Sequence, residues 1–154
     1  LQEPVPAAAV NGGAVLVANT ATLIERSSFS GNNTDVNPDG RAVIQYEGSG
    51  GFTMHNSTLH QNSAGLGFAG SGQVVIRSST ITGQDGFGFR MVGAGGVLST
   101  TVRGSVVAEN GGDCVNTASP IVVDVAHSLI GDGTCSPAGS NNLSGAVRMA
   151  PELT

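Results

Sequence analysis

The nine residues IERSSFSGN, Ile24 to Asn32, decide how this chain is read, because they come back. They return as MHNSTLHQN from Met54, IRSSTITGQ from Ile76, VRGSVVAEN from Val102 and, more loosely, VAHSLIGDG from Val125. Read downward, the copies form columns. Ile24, Met54, Ile76, Val102 and Val125 make one apolar column; Phe29, Leu59, Ile81, Val107 and Ile130 make a second. Thr22, Phe52, Val74, Thr100 and Val123 stand two residues before the first. Serine occupies every copy between the apolar columns, at Ser27, Ser57, Ser79, Ser105 and Ser128. Asn32, Asn62, Gln84 and Asn110 form an amide column. The first column advances by 30, 22, 26 and 23 residues, which is 101 over four steps, or about 25 per repeat.

Repeats of this period mark solenoids or propellers. Helical repeats need apolar residues at 3.6 spacing and tolerate little Gly. These segments alternate over a few residues and break at Gly, as strands do. A propeller blade needs about 40 residues, so the expectation is an all-β parallel β-helix, a solenoid of about five coils. Strands of successive coils then pair about 4.8 Å apart. Apolar columns fill the interior, and the Ser and Asn/Gln columns form hydrogen-bonded ladders along the stack. Gly is expected at bends of positive φ. A second register precedes the first. Gly13 to Leu16 (GAVL) aligns with Arg41 to Ile44 (RAVI), and Gly67-Phe68 with Gly88-Phe89. The organisation expected is an N-terminal extension over 1–10, coils over 11–135, and a C-terminal cap or the start of a following segment over 136–154.

Composition supports this reading. Of 154 residues 24 are Gly, 11% are charged and 39% are hydrophobic, too apolar for a disordered chain. The net charge of −5, with all six basic residues Arg, disfavours nucleic acid, which is bound by neutralising phosphates. No apolar run approaches the roughly 20 residues of a membrane span. The chain begins at Leu1, read as a processed form or a fragment.

The GGAV segment followed by TLIERSSFSGN resembles the coils of bacterial surface right-handed β-helix proteins, including polymorphic outer-membrane-protein repeats. Asp113-Cys114, then His127 to Cys135 (HSLIGDGTC) and Asn141-Asn142-Leu143 are similar to the end of bacterial right-handed β-helix proteins with a choice-of-anchor C-terminal domain. The resemblance covers residues 11 to 154 and implies export and surface attachment. Anchoring itself is not carried over, because the chain ends at MAPELT, residues 149–154.

Cys114 and Cys135 lie 21 residues apart, close to one coil. Stacking brings them within disulfide range on adjacent coils, and two thiols without a C-x-x-C argue against zinc or redox chemistry. A structural disulfide is expected, and with it an oxidising, extracellular or cell-surface location. Asp35 to Gly40 (DVNPDG) resembles the opening of a calcium loop, but Tyr46 stands where the closing Glu belongs. It reads as an Asn/Asp/Gly turn. The carboxylates Glu25, Asp85, Glu109, Asp113, Asp124 and Asp132 are scattered, not paired for glycoside chemistry. Only Asp124, His127 and Asp132 share a coil. No catalytic residue, metal ligand or cofactor is assigned. The expected role is a structural or adhesive extracellular module, whose partners are itself, end to end, or surface glycans. The alternatives are a carbohydrate-active β-helix enzyme and an ice-binding solenoid. For the latter, Thr58, Thr80 and Thr82 are the candidates, and Arg26, His55 and Arg77 are read as interrupting the array.

Overall fold

The computed structural model describes residues 12–33, 42–117, 121–132, 134 and 142–144. Fourteen strands run in the order β1 (Gly12–Ala18), β2 (Thr22–Glu25), β3 (Ser28–Ser30), β4 (Ala42–Gly48), β5 (Phe52–His55), β6 (Thr58–His60), β7 (Leu66–Arg77), β8 (Thr80–Thr82), β9 (Phe87–Arg103), β10 (Val106–Ala108), β11 (Gly112–Asn116), β12 (Ile121–Ala126), β13 (Leu129–Ile130) and β14 (Leu143–Ser144). Every pairing between them is parallel. The result is a solenoid with three faces. The first holds β1, β4, the front of β7, the front of β9 and β11. The second holds β2, β5, the backs of β7 and β9, and β12. The third stacks β3, β6, β8, β10, β13 and β14. Five rungs carry all three faces, so the chain makes about four turns between the first rung and the fifth.

Register explains the columns. Ile24, Met54, Ile76, Val102 and Val125 are consecutive partners on the second face, as are Thr22, Phe52, Val74, Thr100 and Val123. Phe29, Leu59, Ile81, Val107 and Ile130 are partners on the third. Because strand side chains alternate, these positions point inward together and form one continuous core. Tyr46, Phe52 and Phe68 pack ring against ring inside it, with centroids 5.8 and 5.2 Å apart. The Tyr46 hydroxyl accepts the Gly51 amide at 2.8 Å, so its one polar atom is satisfied.

Register also corrects the sequence alignment of the first face. Val15 pairs with Ile44, not Val43, because β1 carries one extra residue in a bulge between Gly12 and Val15. Phe89 pairs with Leu66, and Phe68 with Met91, so the two Gly-Phe pairs are offset by two residues. A shift of two keeps each side chain on its own face, and hydrophobicity alone could not distinguish the two registers. In β7 the strand continues from the first face to the second through a register shift between Gly70 and Gly72.

Candidate functional site

The polar columns are built into the corners. On leaving the second face each rung passes through one residue of positive φ: Arg26 (50°), Asn56 (48°), Ser78 (49°), Gly104 (55°) and His127 (52°). At this corner only one of the five is Gly, whereas other bends do carry Gly at positive φ as expected, at Gly31 (66°), Gly51 (87°) and Gly83 (65°). The serine that follows holds the corner instead. Its hydroxyl donates to the carbonyl two residues back, at 2.9 Å for Ser27 and Ser57, 2.7 Å for Ser79, 2.8 Å for Ser105 and 2.9 Å for Ser128. The same oxygen accepts the backbone N–H of the serine one rung earlier. Ser27 donates to Ser57 at 3.1 Å, Ser57 to Ser79 at 3.2 Å, Ser79 to Ser105 at 3.2 Å and Ser105 to Ser128 at 3.1 Å. At the far end Ser128 N–H finds Asn142 Oδ1 at 3.3 Å.

The amide column lies at the next corner. Asn32 donates from its backbone and its side chain to Asn62 Oδ1, at 3.0 and 2.9 Å. Asn62 does the same to Gln84 Oε1, at 3.2 and 3.0 Å, and the Gln84 backbone N–H donates to Asn110 Oδ1 at 3.1 Å. In the sequence the amide column ends at Asn110. In the structure the line continues through Asp113, whose Oδ1 accepts both Asn110 donors at 3.1 and 2.9 Å. Asp113 is 1% exposed. It exchanges bonds with Asp132: Asp132 N–H donates to Asp113 Oδ2 at 2.7 Å and Asp113 N–H to Asp132 Oδ2 at 2.8 Å. Burial pushes the Asp132 carboxyl up, but hydrogen bonds from the Thr134 hydroxyl and the Asp113 and Thr134 amides outweigh it and hold the group below its ordinary value. The signal for this extension was faint, since Asp113 sits three residues after Asn110 rather than one coil away.

The remaining titratable groups are dispersed. Glu25 meets His55 Nδ1 at 3.3 Å and Arg26 at 3.9 Å, and Arg103 pairs with Asp124 across the second face. Among the described residues no group of three His, Cys, Asp or Glu side chains could hold a metal ion. The calcium-like residues 35–40 lie outside the described residues. A shallow groove of about 420 Å³ opens beside Leu23, Gly51, Thr53, Gln73 and Val75, and nothing titratable lines it. Cys114 is buried on the first face, with no free thiol among the described residues. Its amide donates to Thr134 Oγ1 at 2.8 Å, which brings the neighbour of Cys135 beside it. Cys135 itself, the extension 1–10 and all of the segment 136–154 except 142–144 lie outside the described residues.

Thr58, Thr80 and Thr82 fall on the third face, in register with Ser28, Ser30 and His60. Arg26, His55 and Arg77 are at the corner or the end of the second face, so they do not interrupt this array. The hydroxyls of Ser28, Ser30, Thr58, Thr80 and Thr82 are exposed or half-buried and take no hydrogen bond among the described residues.

No helix of the described residues is long and apolar enough to cross a membrane. Among family comparisons, a right-handed beta helix region matches residues 8–133. No curated protein and no solved structure matched the chain.

Proposed function

Since the chain belongs to the right-handed β-helix family, we propose that it is an extracellular structural or adhesive module rather than an enzyme. The observation that carries this reading is where the reactive groups go. The column serines each close a corner, Asp113 and Asp132 terminate the amide ladder, and Asp124 and Glu25 are engaged in ion pairs. A hydrolase or lyase needs such groups converging on a cleft. The test is a polysaccharide panel incubated with the full chain. No turnover is expected; turnover abolished by Asp124→Ala or His127→Ala would overturn the reading.

The extracellular location rests on a Cys114–Cys135 disulfide, which the Cys114–Thr134 contact supports. Such a loop adds about 3 kcal/mol and persists in oxidising compartments. Intact mass without reductant should fall short of the reduced value by two hydrogens, and labelling of both thiols in the native state would sink the idea. End-to-end self-association is less favoured than a single module. At the C-terminal end Asn142 already occupies the last serine amide, so the serine ladder has no donor left for a second copy. Sedimentation at high concentration should show a monomer.

A second reading, ice binding, is favoured by one observation: on a parallel sheet the hydroxyls of Ser28, Thr58 and Thr80 form one column, and those of Ser30 and Thr82 flank His60 in the next. Depression of the freezing point below the melting point, lost in Thr80→Tyr, would support it. Its absence in the wild type would eliminate it.

A further inference from the structure

Three segments of the chain follow the pattern of Asn, any residue but Pro, then Ser or Thr: Asn32-Asn33-Thr34, Asn56-Ser57-Thr58 and Asn142-Leu143-Ser144. The pattern marks an asparagine that accepts an N-linked glycan in an exported chain, and by itself it ranks the three equally. The structure separates them. Asn32 Nδ2 donates to the Ser30 carbonyl at 3.3 Å and to Asn62 Oδ1 at 2.9 Å, so both of its hydrogens are in use. Asn142 Nδ2 donates to the Val125 carbonyl at 2.7 Å, while its Oδ1 accepts the Ser128 amide at 3.3 Å. A sugar on either nitrogen displaces a bond at the end of a ladder.

Asn56 differs. It stands exposed at the corner between β5 and β6, and its side-chain amide takes no hydrogen bond among the described residues. Its backbone N–H donates to the Arg77 carbonyl at 3.0 Å, so the corner is held without the side chain. Nor does the corner demand Asn, since Arg26, Ser78, Gly104 and His127 occupy it on the other rungs. Ser57 turns inward, 3% exposed, with its hydroxyl committed to the serine ladder. Thr58 turns out again, half-buried, with no hydrogen bond to its hydroxyl among the described residues. The bend therefore opens the amide and the second hydroxyl to solvent and buries the residue between them, the one position the pattern leaves free.

We propose that Asn56 is a glycan acceptor, and that of the three asparagines it alone takes an N-linked oligosaccharide on the folded chain. The donor is a lipid-linked oligosaccharyl diphosphate. A bond forms between Asn56 Nδ2 and C1 of the first sugar, and the bond from C1 to the diphosphate oxygen breaks. One amide proton passes to a base of the transferase, and the diphosphate leaves as an anion. The glycan projects from the edge between the second and third faces, clear of the core and of both ladders. This rests on the extracellular route proposed above, where such transferases act on exported chains.

The experiment is transfer in vitro, which does not need that route. The folded full chain is incubated with an N-oligosaccharyl transferase and its lipid-linked donor, and the modified residue is located by peptide mass spectrometry. Asn56 alone is expected to be occupied. Short peptides spanning the three segments should all be modified, because the fold and not the local sequence makes the choice. Thr58→Ala should abolish transfer and Thr58→Ser should retain it. Asn56→Gly keeps the left-handed corner and should carry no glycan at an unchanged thermal midpoint. Equal occupancy of Asn32 or Asn142 on the folded chain, an unmodified Asn56, peptides that already discriminate, or a midpoint lowered by the glycan would overturn the proposal. Free thiols at Cys114 and Cys135 would remove the proposed route and leave this transfer unchanged, so the two failures are told apart.

Discussion

One serine hydroxyl per rung makes two bonds at once, donating within its own corner and accepting from the rung before it. Its worth therefore depends on its place in the line. Ser79→Ala removes the donor to Arg77 and leaves the buried Ser57 amide without an acceptor. It should cost about 2 kcal/mol in urea unfolding, the price of one lost bond plus one unsatisfied donor. Ser27→Ala has no described amide waiting on it and should cost about 1 kcal/mol. Equal losses at both positions would mean that the ladder contributes nothing beyond the local corner. The residue before each serine follows a different logic. Ser78 sits at φ 49°, where L side chains are strained. Ser78→Gly should raise stability by up to about 1 kcal/mol, relief of strain exceeding the entropy that Gly adds to the unfolded chain. The serine column was legible in the sequence because the side chain itself is selected at every turn. The left-handed corner was not, because Arg26, Asn56, Ser78, Gly104 and His127 share a backbone shape and no side-chain chemistry.

At the scale of the strand, parallel rungs stack closely enough that some positions admit no side chain. A Cβ on Gly65 would lie 1.9 Å from the Gly88 carbonyl oxygen, a backbone atom that cannot give way. Gly65→Ala should push the first-face strands β4, β7 and β9 apart and cost several kcal/mol, at the severe end for single substitutions. Gly104→Ala, with nothing within 4 Å of its Cβ and a φ of 55°, should cost about 1 kcal/mol from conformation alone. Thermal unfolding of the two variants side by side checks the contrast, and comparable losses would show that Gly is retained only for its dihedral freedom. The strands were readable in type and number from alternation and Gly spacing. Their first-face register was not, since the one-residue bulge before Val15 and the two-residue offset of Phe68 and Phe89 both leave inward positions apolar.

Over the whole molecule the two ends differ. At the N-terminal rung β1, β2 and β3 lie at the ends of their sheets, and Ile24 and Phe29 are only partly buried. Toward the C-terminus Val125 and Ile130 are fully buried. There the amide ladder runs into Asp113 and Asp132 and the serine ladder into Asn142. The Asp132 carboxyl is held below its ordinary value in the folded chain. A depressed acid stabilises the fold only while ionised. Its contribution is complete above about pH 4 and is lost as pH falls through the folded value. The thermal midpoint should therefore drop on acidification below about pH 4, and Asp132→Asn should flatten that drop while lowering the midpoint at neutral pH. An identical acid limb in wild type and variant would assign the loss to other carboxylates.

What the sequence by itself determined was periodic: the parallel β-helix, its second and third faces, the inward columns from Ile24 to Val125 and from Phe29 to Ile130, and the serine and amide positions. Stacking repeats one environment, and one environment selects one residue type, so the pattern is written in the chain. Tertiary structure alone decided what breaks the repeat. It placed Asp113 at the end of the amide line and Asn142 at the end of the serine line, and it set Thr58 and Thr80 on a face clear of Arg26 and Arg77. Each of these depends on which residues from different rungs share a side of the sheet. A shift of one residue in a single strand reverses that, and nothing in the local sequence records it.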